Sequence, residues 1–405
     1  VIDPNAPVVT ITSAPLATQA NQNSYPVGGT CTVGDGDVIV SISGAMPPGQ
    51  AVACIADGTW GVNFDVSAIG DGPNVITVNA SQTDAAGNTG NAAPVIASKD
   101  ASAPVVVITS APIASLLNQA AYPVGGTCTV SDGDVTVSIA GATPPSQAVT
   151  CSAGGTWTAS FDVRAIGDGP DVIDINASQI DAARNIGNAP LVEADKNTIP
   201  PLVAITSAST ATLANQAAYP VSGSCTAGDG DVTVSIAGAT PLSQAVTCSA
   251  GGTWSAIFNV SAIGDGLNVI DINASQIDIA GNIGNALQVE ASKDTSAPVV
   301  ATTSAPLATL ANQATYPVSG TCTADDGNVT VSIAGATPPS QAVACSAGGT
   351  WSASFDVSAI ADGTDVIDVN ASQTDAAGNT GNAVLVEASK DASAPVVATT
   401  SAPLA

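Results

Sequence analysis

The sequence predicts an all-β protein: a tandem array of four β-sandwich domains of 97 residues each, with one intradomain disulfide per domain. Three observations carry this. First, one text recurs four times. The sets Cys31/Cys54/Trp60, Cys128/Cys151/Trp157, Cys225/Cys248/Trp254 and Cys322/Cys345/Trp351 step by 97 residues without insertion or deletion, and a fixed period is the signature of a repeat architecture. Second, each period holds short runs of alternating apolar and polar residues, separated by Gly, Pro and Asp turn signals about every 8–12 residues. Third, the eight cysteines come two per repeat, with no CxxC and no histidine in the 405 residues. An even count at fixed spacing points to disulfides and an oxidising compartment, since zinc wants histidine or clustered thiolates.

A unit of this length buries a core of its own, unlike a solenoid repeat. The domains are read as 1–99, 100–196, 197–293 and 294–390. Residues 391–405 restart the pattern and are read as the first strand of a fifth repeat. Because the chain opens and closes inside the pattern, it is expected to be a mature or excised piece of something longer. The other expectation is that this last strand adds to the sheet edge of a neighbouring chain.

The elements follow in order. Each repeat opens with a stiff linker of Pro and small residues, DPNAP at Asp3, DASAP at Asp100, NTIPP at Asn197 and DTSAP at Asp294. In the first repeat a strand is predicted over 8–12, then a polar, Ala-rich loop over 14–24. A second strand runs over 25–33, with Tyr25, Val27, Gly29, Cys31 and Val33 on the inward parity. After the Gly34-Asp35-Gly36 turn a third strand covers 37–42, with Val38, Val40 and Ile42 inward. Pro47 and Pro48 break the chain before a short strand over 51–54. Trp60, Val62, Phe64 and Val66 then alternate with Thr59, Gly61, Asn63 and Asp65, the clearest period-2 run in the repeat. After the corner Gly70-Asp71-Gly72 comes a strand with Ile76, Val78 and Ala80 inward and Thr77, Asn79 and Ser81 outward. A polar loop holding DAAGN leads to a last strand over 93–97. Seven short strands of this kind predict a sandwich.

Composition narrows the role. There are 33 acidic and six basic residues, for a net charge of -27. Such a chain repels nucleic acid and anionic membrane and attracts cations. It is not a disordered polyanion, because 45% of it is hydrophobic and the apolar residues alternate. Each repeat has one Tyr, one Trp and one Phe at fixed offsets, read as core anchors. Lysine recurs at each repeat's end, at Lys99, Lys196, Lys293 and Lys390. No apolar run is long enough for a membrane helix, and no secretory leader is evident.

The run GTW...F.V..IGDG....I.VNASQTDAAGN followed by D.SAP resembles the bacterial Ig-like repeats of large surface and secreted adhesins. The resemblance covers essentially all of each repeat. It implies secretion, tandem arrays of Ig-like or fibronectin-like sandwiches, and calcium-stiffened junctions. The two cysteines per repeat depart from the common pattern, and a disulfide takes over part of the stiffening.

Catalysis finds no support. Without histidine, Ser-His-Asp and Cys-His arrangements are excluded, and no phosphate-cradling glycine motif is present. Two kinds of site are candidates. If the domains stack end to end, the first junction gathers Asp71, Asp100, Asp132, Asp134, Asp181 and Asn185. The second gathers Asp168, Asn197, Asp229, Asp231, Asp278 and Asn282. The third gathers Asp265, Asp294, Asp326, Asn328, Asp375 and Asn379. Hard oxygen donors in these numbers suit Ca²⁺, which takes six to eight; Asn197 and Asn328 each cost their junction one charge. The competing reading is ordinary turn chemistry, because Asp and Asn bond their own backbone. No cofactor is required. The other site is an Asn-Ala-Ser sequon on an outward strand position, at Asn79, Asn176, Asn273 and Asn370.

The expected function is structural and non-enzymatic. Four near-identical beads on stiff linkers make a rod-like stalk of a surface adhesin, or a subunit of an extracellular filament or sheath, on the order of 150 Å long. The partners are neighbouring repeats and identical chains in a homopolymer. The alternative is an adhesion module recognising a glycan or surface through loops at the domain ends. Against it, residues 14–21 vary most between repeats and hold no aromatic or Arg anchor.

Overall fold

The computed structural model describes residues 4–398. The chain divides after Ile199 into two compact units, each containing two repeats of one design. Of the terminal strand expected within 391–405, residues 392–398 are described and form no strand, and 399–405 lie outside the described residues.

In the first repeat, a three-stranded antiparallel sheet runs β1 (Thr10–Ser13), β3 (Tyr25–Thr30) and β6 (Thr59–Phe64). It packs on a sheet ordered β2 (Ala17–Thr18), β9 (Val95–Asp100), β7 (Gly72–Thr83), β4 (Val38–Ile42) and β5 (Gly49–Val52), with β8 (Thr89–Asn91) beside β7. Equivalent sheets recur in the other repeats at the 97-residue step. Tyr25, Val27, Val38, Val40, Ile42, Trp60, Phe64, Val66, Ile76 and Val78 fill the space between the two sheets. This is the all-β sandwich that the alternation predicts. The aromatics are core anchors, as expected. Burial pushes the Tyr25 hydroxyl up to about 12, and it donates to the carbonyl of Pro15 at 2.5 Å.

Trp60 explains a glycine. Its Nε1 donates to the carbonyls of Thr10 and Thr30, at 3.2 and 3.1 Å, and so pins β1 to β3. The ring lies against Gly29, where an added Cβ would sit 1.8 Å from the Thr10 oxygen and 2.8 Å from the ring. Any side chain there would push β1 away.

Three local expectations are corrected. Residues 14–24 are not simply a loop. Ala17 is fully buried where the chain crosses between sheets, and β2 pairs in parallel with β9, Ala17 opposite Lys99. A 3₁₀ turn, Gln22–Ser24, follows. The Asn21 side chain holds this crossing by accepting from Thr18 N at 2.7 Å and donating to Leu16 O at 3.0 Å. Second, β3 stops at Thr30, and Val33 is 54% exposed rather than inward. The reason is Gln82, which takes the place of a strand partner. Its Oε1 accepts Thr32 N, and its Nε2 donates to Thr32 O and Gly36 O, each at 2.9 Å. Third, the last strand runs to Asp100, beyond the predicted 97, because Lys99 pairs with both Gly72 and Ala17.

All eight cysteines are paired, as Cys31–Cys54, Cys128–Cys151, Cys225–Cys248 and Cys322–Cys345. Each bridge joins the end of the β3-type strand to the segment after the β5-type strand, tying the two sheets together at one side. Lower on that side Gln50 Nε2 donates to Asn63 O at 2.7 Å, linking β5 to β6. No helix among the described residues is long and apolar enough to cross a membrane.

Candidate functional site

Inside each compact unit, acidic residues singled out in the sequence stand where one repeat meets the next, Asp100 and Asp181 in the first unit and Asp294 and Asp375 in the second. This joint is described inside each compact unit. It has two layers, a corner belonging to the earlier repeat and a clasp supplied by the later one.

The corner is built around the recurrent lysine. Lys99 lies on the inward parity of β9, two residues after the buried Ala97, and is only 5% exposed. Its ammonium donates to the Ile69 carbonyl at 2.6 Å and stands 3.3 Å from Asp71. Lys196 reaches Ile166 O and Asp168, and Lys293 reaches Ile263 O and Asp265. Buried cations are tolerated only when paired and hydrogen-bonded, and the corner carbonyls satisfy that demand. Four of the six basic residues of the chain are spent this way.

Asp71 faces the linker as well. Ser102 Oγ donates to it at 2.6 Å, and this bond, with Lys99, holds its carboxyl below the usual range. Asp168 receives Thr198 Oγ1 at 2.8 Å, and Asp265 receives Thr295 N and Oγ1, each at 3.0 Å. The carboxyls of Asp168 and Asp265 are also lowered. At Asp168 partial burial opposes the hydrogen bonds from Thr198 and the Lys196 charge. At Asp265 the Thr295 backbone N–H is the main cause. The corner aspartates therefore fasten the first residues of the linker.

The clasp is an asparagine. Asn185 ends the DAARN loop of the second repeat and is 2% exposed. Its Oδ1 accepts the backbone N–H of Gln19, in the first repeat, at 2.8 Å. Its Nδ2 donates to the backbone carbonyl of Asp100 at 2.9 Å and to Asp181 Oδ2 at 2.8 Å. Asp181 Oδ1 in turn accepts Asn185 N at 2.8 Å. Asn379 repeats the arrangement in the other unit. Its Oδ1 accepts Leu213 N, and its Nδ2 donates to Asp294 O and Asp375 Oδ2, all at 2.9 Å. The residue before the Asn has positive φ, which is Gly87, Gly281 or Gly378 in three repeats and Arg184 in the second. That left-handed step turns the Asn back toward the preceding repeat.

The remaining predicted ligands differ in their surroundings. Asp132 is half-buried. Desolvation and then the charges of Asp181 and Asp100 raise its carboxyl above the usual value. Asp326 is raised likewise by desolvation and by Asp375, Asp294 and Asp325, and Asp229 by desolvation and Asp278. Asp134, Asp231 and Asn328 are exposed. The joint is thus strongly negative around a neutral amide. The donors suit calcium in kind. Their arrangement does not yet form a cage: among the described residues no three acidic or cysteine side chains stand close enough to hold a metal ion. Asn185 and Asn379 have both amide N–H groups and the oxygen engaged, while Asp71 and Asp265 turn to lysine and the linker.

The sequons lie elsewhere, on β7 and its equivalents. Asn79, Asn176, Asn273 and Asn370 are all exposed on the outer face of the larger sheet.

Sequence reading missed three roles at or near the joint: the buried lysine, the Gln82 brace and the amide clasp. The first two carried a signal, since Lys99 and Gln82 are polar residues on inward parities. The clasp carried none locally, because its partner is 166 residues away.

Comparison with solved structures finds likenesses of low identity. A tetra-tandem repeat from the extending region of a large adhesion protein is 21% identical, covering 96% of this chain and 100% of that one, with a TM-score of 0.33. A fragment of a 1.5-MDa bacterial ice-binding adhesin, studied for host cell surface retention, is 16% identical, covering 73% and 99%, with a TM-score of 0.36. The D1–D4 ectodomain fragment of ICAM-5 is 11% identical, covering 95% and 99%, with a TM-score of 0.35. No family model matches the chain, and no curated protein does.

Proposed function

We propose that the chain is a non-enzymatic spacer, a stalk segment of an extracellular adhesin or filament whose task is to hold distance. The observation that carries this is the joint. Asn185 and Asn379 each bind a backbone N–H of the repeat before them and the backbone carbonyl of the Asp that opens the linker. Corner aspartates fasten the linker as well. Flexible tethering would need none of these bonds. The disulfides fit an extracellular setting. Small-angle scattering of the full chain tests the reading. An extended particle near 150 Å, the length expected of four end-to-end sandwiches at about 35 Å each, supports it. A compact particle, or one whose dimensions spread as freely hinged beads would, sinks it.

Calcium belongs to this proposal as a stiffener. The support is the raised carboxyl of Asp132, beside Asp181 and Asp100, and of Asp326, beside Asp375 and Asp294. A divalent cation relieves such crowding, and binding requires the loops to close around it. Thermal unfolding with calcium and with chelator decides. A calcium-dependent rise in melting temperature that Asp132→Asn weakens supports the site, and identical curves remove it.

A further inference from the structure

We propose that Asn79, Asn176, Asn273 and Asn370 are N-glycosylation sites. Each begins an Asn-Ala-Ser-Gln run on the longest strand of its repeat. The run splits cleanly by parity. Ala80 is core, and Gln82, fully buried, braces Thr32 and Gly36. Asn79 and Ser81 point the other way, and the four Asn side chains are exposed.

The fold makes no use of the asparagine. None of the four side chains makes a hydrogen bond among the described residues, whereas Asn21, Asn88 and Asn185 each fasten a turn or a joint. Outward positions on either side of the run vary. Thr77 becomes Asp174, Asp271 and Asp368, and Thr83 becomes Ile180 and Ile277. The Asn and Ser stay through all four repeats. The site is also open. Across the sheet each Asn sits opposite a serine, Ser41 opposite Asn79 and Ser138 opposite Asn176. Beyond the serine lies Gly49 or Ser146. Small neighbours leave space above the sheet for a first sugar and its branches.

The transfer uses a lipid-pyrophosphate-linked oligosaccharide. The Asn amide nitrogen attacks the anomeric carbon and forms the C–N bond. The C–O bond to pyrophosphate breaks, the amide loses one proton, and the lipid pyrophosphate departs. No oxidant is involved. The acceptor must be reached before the strand pairs, because β7, which carries Asn79, lies between β4 and β9 in the finished sheet. The oxidising compartment that closes the disulfides is one where such transfer can take place.

The test is peptide mapping by mass spectrometry of the native chain, before and after an amidase that releases N-glycans and leaves Asp in place of Asn. The expected result is that peptides holding the four sequons are heavier before treatment and carry Asp afterwards. Unmodified Asn in all four overturns the proposal, as does sugar confined to Ser or Thr hydroxyls. A second readout is specific to the motif: Ser81→Ala removes one glycan's mass and Ser81→Thr keeps it. Equal masses for these two variants, beyond the side-chain difference, also overturn it.

Discussion

Asn185 Oδ1 and the backbone N–H of Gln19 meet at 2.8 Å across 166 residues of sequence, and Asn379 meets Leu213 in the same way at 2.9 Å. The contact reads main chain, so Gln19 and Leu213 serve equally well. This accounts for a loop that varies between repeats without loss of the joint.

Asn185→Ala leaves the Gln19 N–H and the Asp100 carbonyl without their partner. The expected loss is about 1–3 kcal/mol at this joint, with the sandwiches themselves intact. Amide hydrogen exchange is the check. The Gln19 amide should exchange at least tenfold faster in the variant, and an unchanged rate would show that the clasp does not form in solution.

Lys99→Met keeps the stem and removes the ammonium. The Ile69 carbonyl then loses its donor, and the first repeat should lose about 1–3 kcal/mol. Asp71→Asn should cost less, within about 1 kcal/mol, because Asp71 is partly exposed and such pairs are screened. Urea unfolding of the two variants gives the ranking, and a larger loss for Asp71→Asn would refute the corner peg.

Thr302 occupies the position that Ile11, Ile108 and Ile205 fill in the other repeats. Its hydroxyl is buried with no hydrogen-bond partner. Thr302→Ile should therefore stabilise the fourth repeat by about 1–2 kcal/mol. A raised denaturant midpoint for that repeat is the expected outcome; a lowered one means the site is too tight for the added carbon.

Two sets of carboxyls give opposite pH dependences. Asp132 and Asp326 have folded values raised above the ordinary 3.8. Their charged forms penalise the folded state, and the penalty is relieved as pH falls through the raised folded value. Asp71 and Asp168 have lowered values. Their stabilisation is present above the ordinary value and is lost as pH falls through the lowered folded one. Mild acidification from neutral should thus tighten the joint before stronger acid loosens the corner. Asp132→Asn together with Asp326→Asn should diminish the first phase and leave the second. Monotonic loss of stability from neutral pH downward in the parent chain would contradict this order.

The strands were legible because a sandwich writes itself as alternation, and Trp60, Phe64, Ile76 and Val78 sit where parity puts them. The crossing at Ala17 was not, since a two-residue strand leaves no period to detect. Lys99 and Gln82 were legible in principle as polar residues on apolar parities. Their meaning depends on carbonyls at Ile69, Thr32 and Gly36 that no pattern announces. The acidic loops were legible in the sequence as turns, yet their division of labour was not. Whether an Asp meets a lysine, a linker hydroxyl or another Asp is set by the turn of the chain at the joint.

Because the clasp recognises backbone, neighbouring repeats need no matched pair of side chains. A copy inserted or deleted at the 97-residue period brings its own asparagine and presents its own amide and carbonyl. The chain can therefore change its number of repeats by simple recombination, without compensating mutations, and its reach can be selected independently of everything else it does.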